Sequence, residues 1–322
     1  MDSESFYIIT LFQQGSYRSA ISAYDELSSP SPLLTLYAAR SHLALSPPSP
    51  ASASTLLRSL PHETLDSRAI ECLAKYLEGG RDDDLDKKEQ AVGDLEEILA
   101  ETGERGLTDD DHAEGRFVRG VVGTVWILEG DDRREEGIEV LREAVELGKD
   151  QECLAILSHL YISLHLSPLS STLLGSPSVQ SFTLDSLLSQ LLVARTSLAT
   201  GPKAKYQEAY YVYEELRSMQ GGRGEATLAG VGVSQACLGR WQEADEAVKE
   251  ALEMNPQHPT TLANSVALAV HTGKPRSSVE ESLRTLAQAD PRHPLIVDLE
   301  AKERLFDEAA SRFGVTSAAA AA

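Results

Sequence analysis

The sequence predicts an all-α protein, a right-handed solenoid of helix-turn-helix repeats finished by a C-terminal capping helix. Three observations predict it. Apolar residues recur at spacings of three and four through most of the 322 residues, the period of an amphipathic helix. No segment alternates with period two for long enough to make a strand. A unit of about 35 residues repeats in the C-terminal half, and a helical hairpin of that size cannot bury its apolar face without a stacked neighbour.

The clearest unit runs from Glu225 to Pro259. Its first half carries Leu228, Val231, Gly232 and Gln235 on one helix face; its second carries Trp241, Ala244, Val248 and Ala251. Gly239 and Arg240 make the turn between them. Asn255-Pro256 stops the second helix, because proline cannot extend the hydrogen-bond ladder. Gly232 and Ala244 are small where two antiparallel helices must approach; a mid-helix glycine costs about 1 kcal/mol against alanine, so a close neighbour is expected there. Tyr206-Gln207-Glu208-Ala209 precedes Trp241-Gln242-Glu243-Ala244 by the repeat period, and Asn255 to Pro259 recurs as Asp290 to Pro294. The unit resembles the tetratricopeptide repeat: small Gly232, turn Gly239, aromatic Trp241, Ala244, Ala251 and Pro256, with Leu228 where the ideal repeat has tryptophan. By position Trp241 is expected in the core, as is Trp126.

Taken in order, Phe6 to Leu27 reads as a first repeat, with Gly15, Tyr17 and Ala20 at the places of Gly239, Trp241 and Ala244. Leu33 to Leu45 follows as a helix, and Ser46-Pro47-Pro48-Ser49-Pro50 as a loop. Ala51 to Leu60, Thr64 to Leu77 and Leu85 to Leu99 read as helices, the last two separated by a solvated turn from Gly79 to Asp84. A polar loop spans Thr102 to Gly115. Arg116 to Leu128 and Arg133 to Leu147 form a hairpin across Glu129 to Asp132, and Glu152 to Leu166 is another helix. The serine-rich stretch from Ser167 to Phe182 reads as a degraded second helix or an insertion. Leu184 to Ala199 pairs with Tyr206 to Met219, whose Ala209 matches Ala244, across a turn three residues longer than the next. Thr260 to His271 pairs with Ser277 to Ala289. The expected organisation is one solenoid over 1–313, with its clearest repeats at 187–294, a capping helix at 295–313 and a disordered tail at 314–322.

Composition narrows the function. The chain holds 29 basic and 50 acidic residues, a formal charge of −21, which argues against nucleic acid and against direct binding to an anionic membrane. Cys72, Cys153 and Cys237 are widely spaced and offer no disulfide framework, which fits a reducing compartment. The first residues lack the basic region of a signal peptide, and no apolar run is long enough to span a bilayer. The eight histidines form no metal motif, and no nucleophile, base and orienter assemble. His258 and His293 precede prolines in matching turns, which favours a structural role for both. Gly230-Val231-Gly232 follows no strand, Gly221 to Gly224 lacks the Lys-Ser/Thr of a phosphate loop, and Asp82, Asp84 and Asp86 precede Lys87 where a calcium loop needs glycine. Neither catalysis nor a cofactor or metal is expected.

A more specific likeness is carried by Ala199-Thr200-Gly201, by Glu208 to Glu215, by Gly239 to Ala244 and by Asn255 to Asn264. His293-Pro294, the ending Ala301-Lys302-Glu303 with Phe306-Asp307, and the N-terminal Phe12 to Tyr17 belong to it as well. On these stretches the sequence resembles the epsilon-subunit family of coatomer, the COPI vesicle coat. The resemblance implies a non-enzymatic tetratricopeptide solenoid that curls around the C-terminal domain of the coatomer alpha subunit and stabilises it, beside the other coat subunits. It also implies Golgi-to-ER retrograde and intra-Golgi transport, a cytoplasmic location, and an indirect, peripheral association with Golgi membranes and coated vesicles. The alternative is a generic tetratricopeptide adaptor or co-chaperone that binds short peptides.

First-helix positions line the groove of such an array. Here they are Ala226, Ala229, Val233 and Ala236, then Thr260, Ala263, Asn264, Ala267 and Val270. They are small and mostly apolar, which suits docking by shape and buried area. The same alanines are also what tight helix packing requires. The lysine, asparagine and arginine set that clamps a peptide carboxylate is missing except for Asn264, which disfavours the co-chaperone alternative.

Overall fold

In the computed structural model residues 3–105, 107, 114–184 and 186–312 are described, and among them there are only helices and turns, with no strand. The helices are α1 (Ser3–Gln13), α2 (Tyr17–Asp25), α3 (Pro32–Ala44), α4 (Pro50–Arg58), α5 (Leu65–Asp82) and α6 (Leu85–Thr102). Next come α7 (Val118–Leu128), α8 (Asp131–Glu146), α9 (Gln151–Ser163), α10 (Ser167–Leu174), α11 (Pro177–Thr183) and α12 (Leu187–Thr200). The last are α13 (Lys203–Ser218), α14 (Glu225–Cys237), α15 (Trp241–Met254), α16 (Pro259–His271), α17 (Arg276–Ala289) and α18 (Pro294–Arg312).

Local chemistry explains many of the boundaries. Ser31 accepts the Leu34 amide and Pro32 opens α3. Thr64 and Ser67 form a reciprocal capping box on α5. Asp84 caps α6 and Asp150 caps α9 with two amides, those of Glu152 and Cys153. Gly15, Gly130, Gly239 and Gly273 turn the hairpins with φ of 79°, 94°, 78° and 67°, a region that glycine enters without steric penalty.

The core is a chain of clusters between stacked hairpins, as expected of a repeat array. The first runs from Ile8 through Ile70 and Leu95 to Trp126. The second joins Leu141, Leu154, Leu157 and Leu192; the third joins Leu191, Ala209, Leu216 and Val231. Val248 with Leu268, and Leu286 with Ile296, finish the series. Ala20, Ala244 and Ala251 are fully buried and Ala209 is nearly so. A Cβ on Gly232 would lie 2.7 Å from Val248 Cγ2, which is the close approach that its small size implies.

Several expectations are corrected. α5 continues through Gly79 and Gly80 to Asp82, so the turn shrinks to Asp83-Asp84, and a Cβ on Gly79 would sit 3.0 Å from the Asp84 carbonyl. The turn before Tyr206 is only Gly201-Pro202; the extra residues belong to α13, which starts at Lys203. Of the two readings of 167–182, a degraded second helix or an insertion, the structure has the first, a helix broken at Gly175-Ser176 into α10 and α11. Asp131 and Asp132 lie inside α8, where acidic side chains suit the N-terminal dipole. Trp241 is not in the core. It is 38% exposed and stacks on His271, with ring centroids 5.1 Å apart. Trp126 is buried, with Arg133 over its ring. α18 buries Ile296, while Val297, Leu299, Leu305 and Phe306 are exposed. The tail expected at 314–322 and half of the loop 102–115 lie outside the described residues.

The array curls far enough for distant repeats to touch. Tyr37 and Arg40 of α3 meet Glu152 of α9, over a hundred residues along the chain. The α1–α2 turn reaches further. Tyr7 and Leu11 pack on Gly221, Ser16 packs on Gly224, and Gly15 sits over Ala226 of α14.

Candidate partner-binding groove

α14, α15 and α16 position the groove. Leu228, Val248 and Leu268 are buried between them, and a cleft opens above Val248 and Leu268 between α14 and α16. The cleft encloses about 270 Å³. Its floor is Gly232, Val248 and Leu268; its walls are Val233, Ala236, Asn264 and Ala267; Cys237, Trp241 and His271 stand at its rim. Among these residues only Asn264 and His271 bring polar side-chain nitrogen or oxygen beyond the indole N–H, and none carries a fixed charge. It can therefore bury an apolar side chain but offers no counter-ion to a carboxylate or phosphate.

Of the nine positions expected to line the groove, Val233, Ala236, Asn264 and Ala267 come together in this cleft. Ala226 is covered by Gly15, and Ala229 is buried at 6% exposure. Ala263 packs toward Leu262 and Leu286. Thr260 is exposed at the start of α16, and Val270 is exposed outside the cleft. Of the repeat-structural residues, Gly15 and Gly239 turn their hairpins, Tyr17 stacks edge-on against Phe12, and Tyr206 packs its hydroxyl on Gly201. Pro256 is exposed just past Asn255, which ends α15. Sequence patterning missed Trp241 and His271 as rim residues. Their signal was chemical, an aromatic at a helix N-terminus and a histidine near the end of the next first-helix.

A second cluster was not legible at all. The Arg40 guanidinium lies against three rings, 4.7 Å from the centroid of Phe12, 5.3 Å from Tyr37 and 4.4 Å from Phe117. It pairs with Glu152, whose other carboxylate oxygen accepts the Tyr37 hydroxyl at 2.8 Å. Asp66 accepts the amides of Gly115 and Phe117 at 2.8 and 2.7 Å, which fixes Phe117 beside Arg40. Burial pushes the Glu152 carboxyl up, but Arg40 and the Tyr37 hydroxyl outweigh it and hold the group below the usual glutamate value. Burial raises the Tyr37 phenol well above its ordinary value, and the neighbouring Glu152 charge adds to this. The two ions are paired, although Arg40 Nη1 is buried without a hydrogen-bond partner, and nothing in the cluster is poised as a nucleophile. Its arrangement joins α1, α3, α7 and α9 across the inside of the curl.

The model of the coatomer epsilon subunit family matches residues 1–314. The chain belongs to that family. Among curated relatives, coatomer subunit epsilon-1 of Arabidopsis thaliana is 28% identical over 246 residues, 76% of this chain and 75% of its own. Coatomer subunit epsilon-2 of Oryza sativa subsp. indica is 28% identical over 75% of this chain and 73% of its own. Coatomer subunit epsilon of Caenorhabditis elegans is 30% identical over 39% of this chain and 43% of its own. Solved structures show the same fold at low identity. A tetratricopeptide repeat protein from Parabacteroides merdae superposes with a TM-score of 0.53 at 11% identity, covering 89% of this chain and 97% of that one. The APC/C hetero-tetramer Cut9–Hcn1 gives 0.55 at 14% identity, covering 91% of this chain but about half, 54%, of that one. Membership of the epsilon-subunit family supports a structural role in the COPI coat, in a family of scaffolds and not of enzymes. The described residues hold no cluster of three metal-ligating side chains, and none of their helices is long and apolar enough to cross a membrane.

Proposed function

We propose that this chain holds the C-terminal domain of the coatomer alpha subunit on the inner face of its C-terminal repeats, and so stabilises that subunit within the coat. The observation that carries this is the uncharged cleft between α14 and α16, rimmed by a half-exposed Trp241, on a member of the epsilon-subunit family. An exposed tryptophan at the mouth of an apolar cleft is the kind of side chain that dominates interface energetics. The charge of −21 keeps the chain off anionic lipid, so its residence on Golgi membranes and coated vesicles is indirect, through other coat subunits, from the cytoplasm. The process served is Golgi-to-ER retrograde and intra-Golgi transport.

Co-expression with the alpha C-terminal domain tests this. A stoichiometric complex is expected, and Trp241→Ala is expected to weaken it by roughly 30-fold or more, the value of a hot-spot contact. A Trp241→Ala chain that binds like the parent removes the cleft from the interface, and a parent that fails to bind removes the partner.

A further inference from the structure

Six serines stand directly before a proline: Ser29, Ser31, Ser46, Ser49, Ser167 and Ser176. A proline after the acceptor is what proline-directed serine/threonine kinases require, and their clefts take the acceptor and the residues after it as extended chain. By sequence the six motifs are equivalent; in the fold they are not. We propose that Ser29 is a phosphorylation site for a proline-directed kinase, and that a phosphate there loosens the last turn of α2.

Five of the six are held by the fold. Ser31 and Ser176 cap α3 and α11, and their hydroxyl oxygens accept the amides of Leu34 and Val179. Ser49 precedes α4 with its hydroxyl 2.9 Å from that of Ser52, and the proline after it, Pro50, is buried. Ser167 is the first residue of α10. After each of these four the chain is already helical, so local unwinding must come before a cleft can take it extended. Ser46 is half-buried in a loop that the Ser49 amide closes onto the His42 carbonyl at 2.9 Å.

Ser29 differs in each respect. Residues 28–32 are all exposed, between the end of α2 at Asp25 and the start of α3 at Pro32. Among the described residues the Ser29 hydroxyl has no hydrogen-bond partner, and the amides of Ser28, Ser29 and Ser31 donate to no backbone carbonyl. Pro30 and Pro32 each disfavour the helical region for the residue before them, and Ser31 is extended, with φ −73° and ψ 155°. The segment is therefore open and pre-set in the form a kinase takes.

In the transfer the Ser29 Oγ bonds to the γ-phosphorus of ATP, the bond from that phosphorus to the β–γ bridging oxygen breaks, ADP leaves, and the hydroxyl proton passes to the kinase's catalytic carboxylate. The product carries a charge of about −1.5 to −2 at neutral pH. It arrives just after Asp25 and Glu26, at the C-terminal end of α2, where the helix dipole favours cations and the last turn has no basic residue. A phosphate in that position repels the carboxylates and the helix end together. The turn it loosens holds Tyr24, whose hydroxyl is hydrogen-bonded to that of Thr35 at 3.0 Å.

The experiment treats the native full chain with a purified proline-directed kinase and ATP, and maps the phosphate by mass spectrometry. Short peptides carrying each of the six motifs are treated in parallel. In the native chain Ser29 is expected to be modified at least about tenfold faster than any of the other five, which wait on local opening. The peptides, free of the fold, should lose that ranking, and Ser29→Ala should remove most of the incorporation into the native chain. Amides of Tyr24 to Glu26 should exchange about two- to fivefold faster in the phosphorylated chain than in the unmodified one, with α5 unchanged. No phosphate at Ser29 in the native chain overturns the site, and so does a native chain modified at the six serines in the same proportions as the peptides. Equal exchange before and after modification overturns the effect on α2.

Discussion

Replacing Glu152 by glutamine tests the contact that spans the inside of the curl. The side chains of Arg40 and Glu152 are 16% and 12% exposed, so solvent screening is slight and the pair counts as buried. Removing one charge of a buried pair costs about 3–5 kcal/mol, mostly because the other ion is left uncompensated. Glutamine keeps an acceptor for the Tyr37 hydroxyl, and the three rings still face Arg40, so the lower end, about 3 kcal/mol, is expected. If α1 to α12 melt as one unit of roughly 200 residues, that is a fall of roughly 6–12 °C in the first thermal transition. The pH dependence supplies an independent check. The Glu152 carboxyl is depressed in the native state, so its stabilising effect is complete above the usual value of 4.5 and is lost as pH falls through the native value. The gap between parent and Glu152→Gln, followed by circular dichroism, is therefore full at neutral pH and narrows below 4.5. A variant that melts with the parent at neutral pH, or a gap unchanged on acidification, refutes this account.

Other perturbations have calculable signs. Leu228 is fully buried on α14, so Leu228→Ala should lose about 2–5 kcal/mol in denaturant titration. A Cβ on Gly222 would stand 1.9 Å from the Leu216 carbonyl oxygen, and backbone cannot swing aside as a side chain can, so Gly222→Ala should cost about 3 kcal/mol or more. Asp66→Asn halves the acceptors for the Gly115 and Phe117 amides, so it should lower stability by about 1.5–3 kcal/mol by the same titration. Trp241→Ala, by contrast, should move the melting temperature little, because the ring is half-exposed, while it abolishes most partner affinity.

The helices were legible because their cause is local. Spacing of apolar residues, turn glycines and serine or aspartate caps write a hairpin into about 35 residues, and α12 to α17 follow that script closely. Gly79-Gly80 misled because glycine signals a turn only when nothing else fixes the backbone; here the first turn of α6 presses against α5 and the helix runs through. The length of α13 was hidden by a proline that starts a helix instead of following one. Trp241 was placed by analogy with core aromatics, whereas the first residue of α15 stands at the cleft rim and its ring falls on His271. Half of the groove was visible as a stripe of small residues. What decides which half is open, the arrival of Gly15 at Ala226, depends on the summed curvature of every repeat between them. Arg40 with Glu152 is of the same kind: no spacing rule links residues six helices apart.

The three thiols differ in a way that is useful at the bench. Cys72 and Cys153 are buried, while Cys237 is exposed at the cleft rim. Burial lifts the thiols of Cys72 and Cys153 well above their ordinary value, and that of Cys237 is raised as well. A maleimide dye applied to the native chain under mildly alkaline conditions should thus attach at one place. The molecule carries its own reporter beside the groove, and slowing of that labelling by an added subunit would read occupancy directly without any engineered residue.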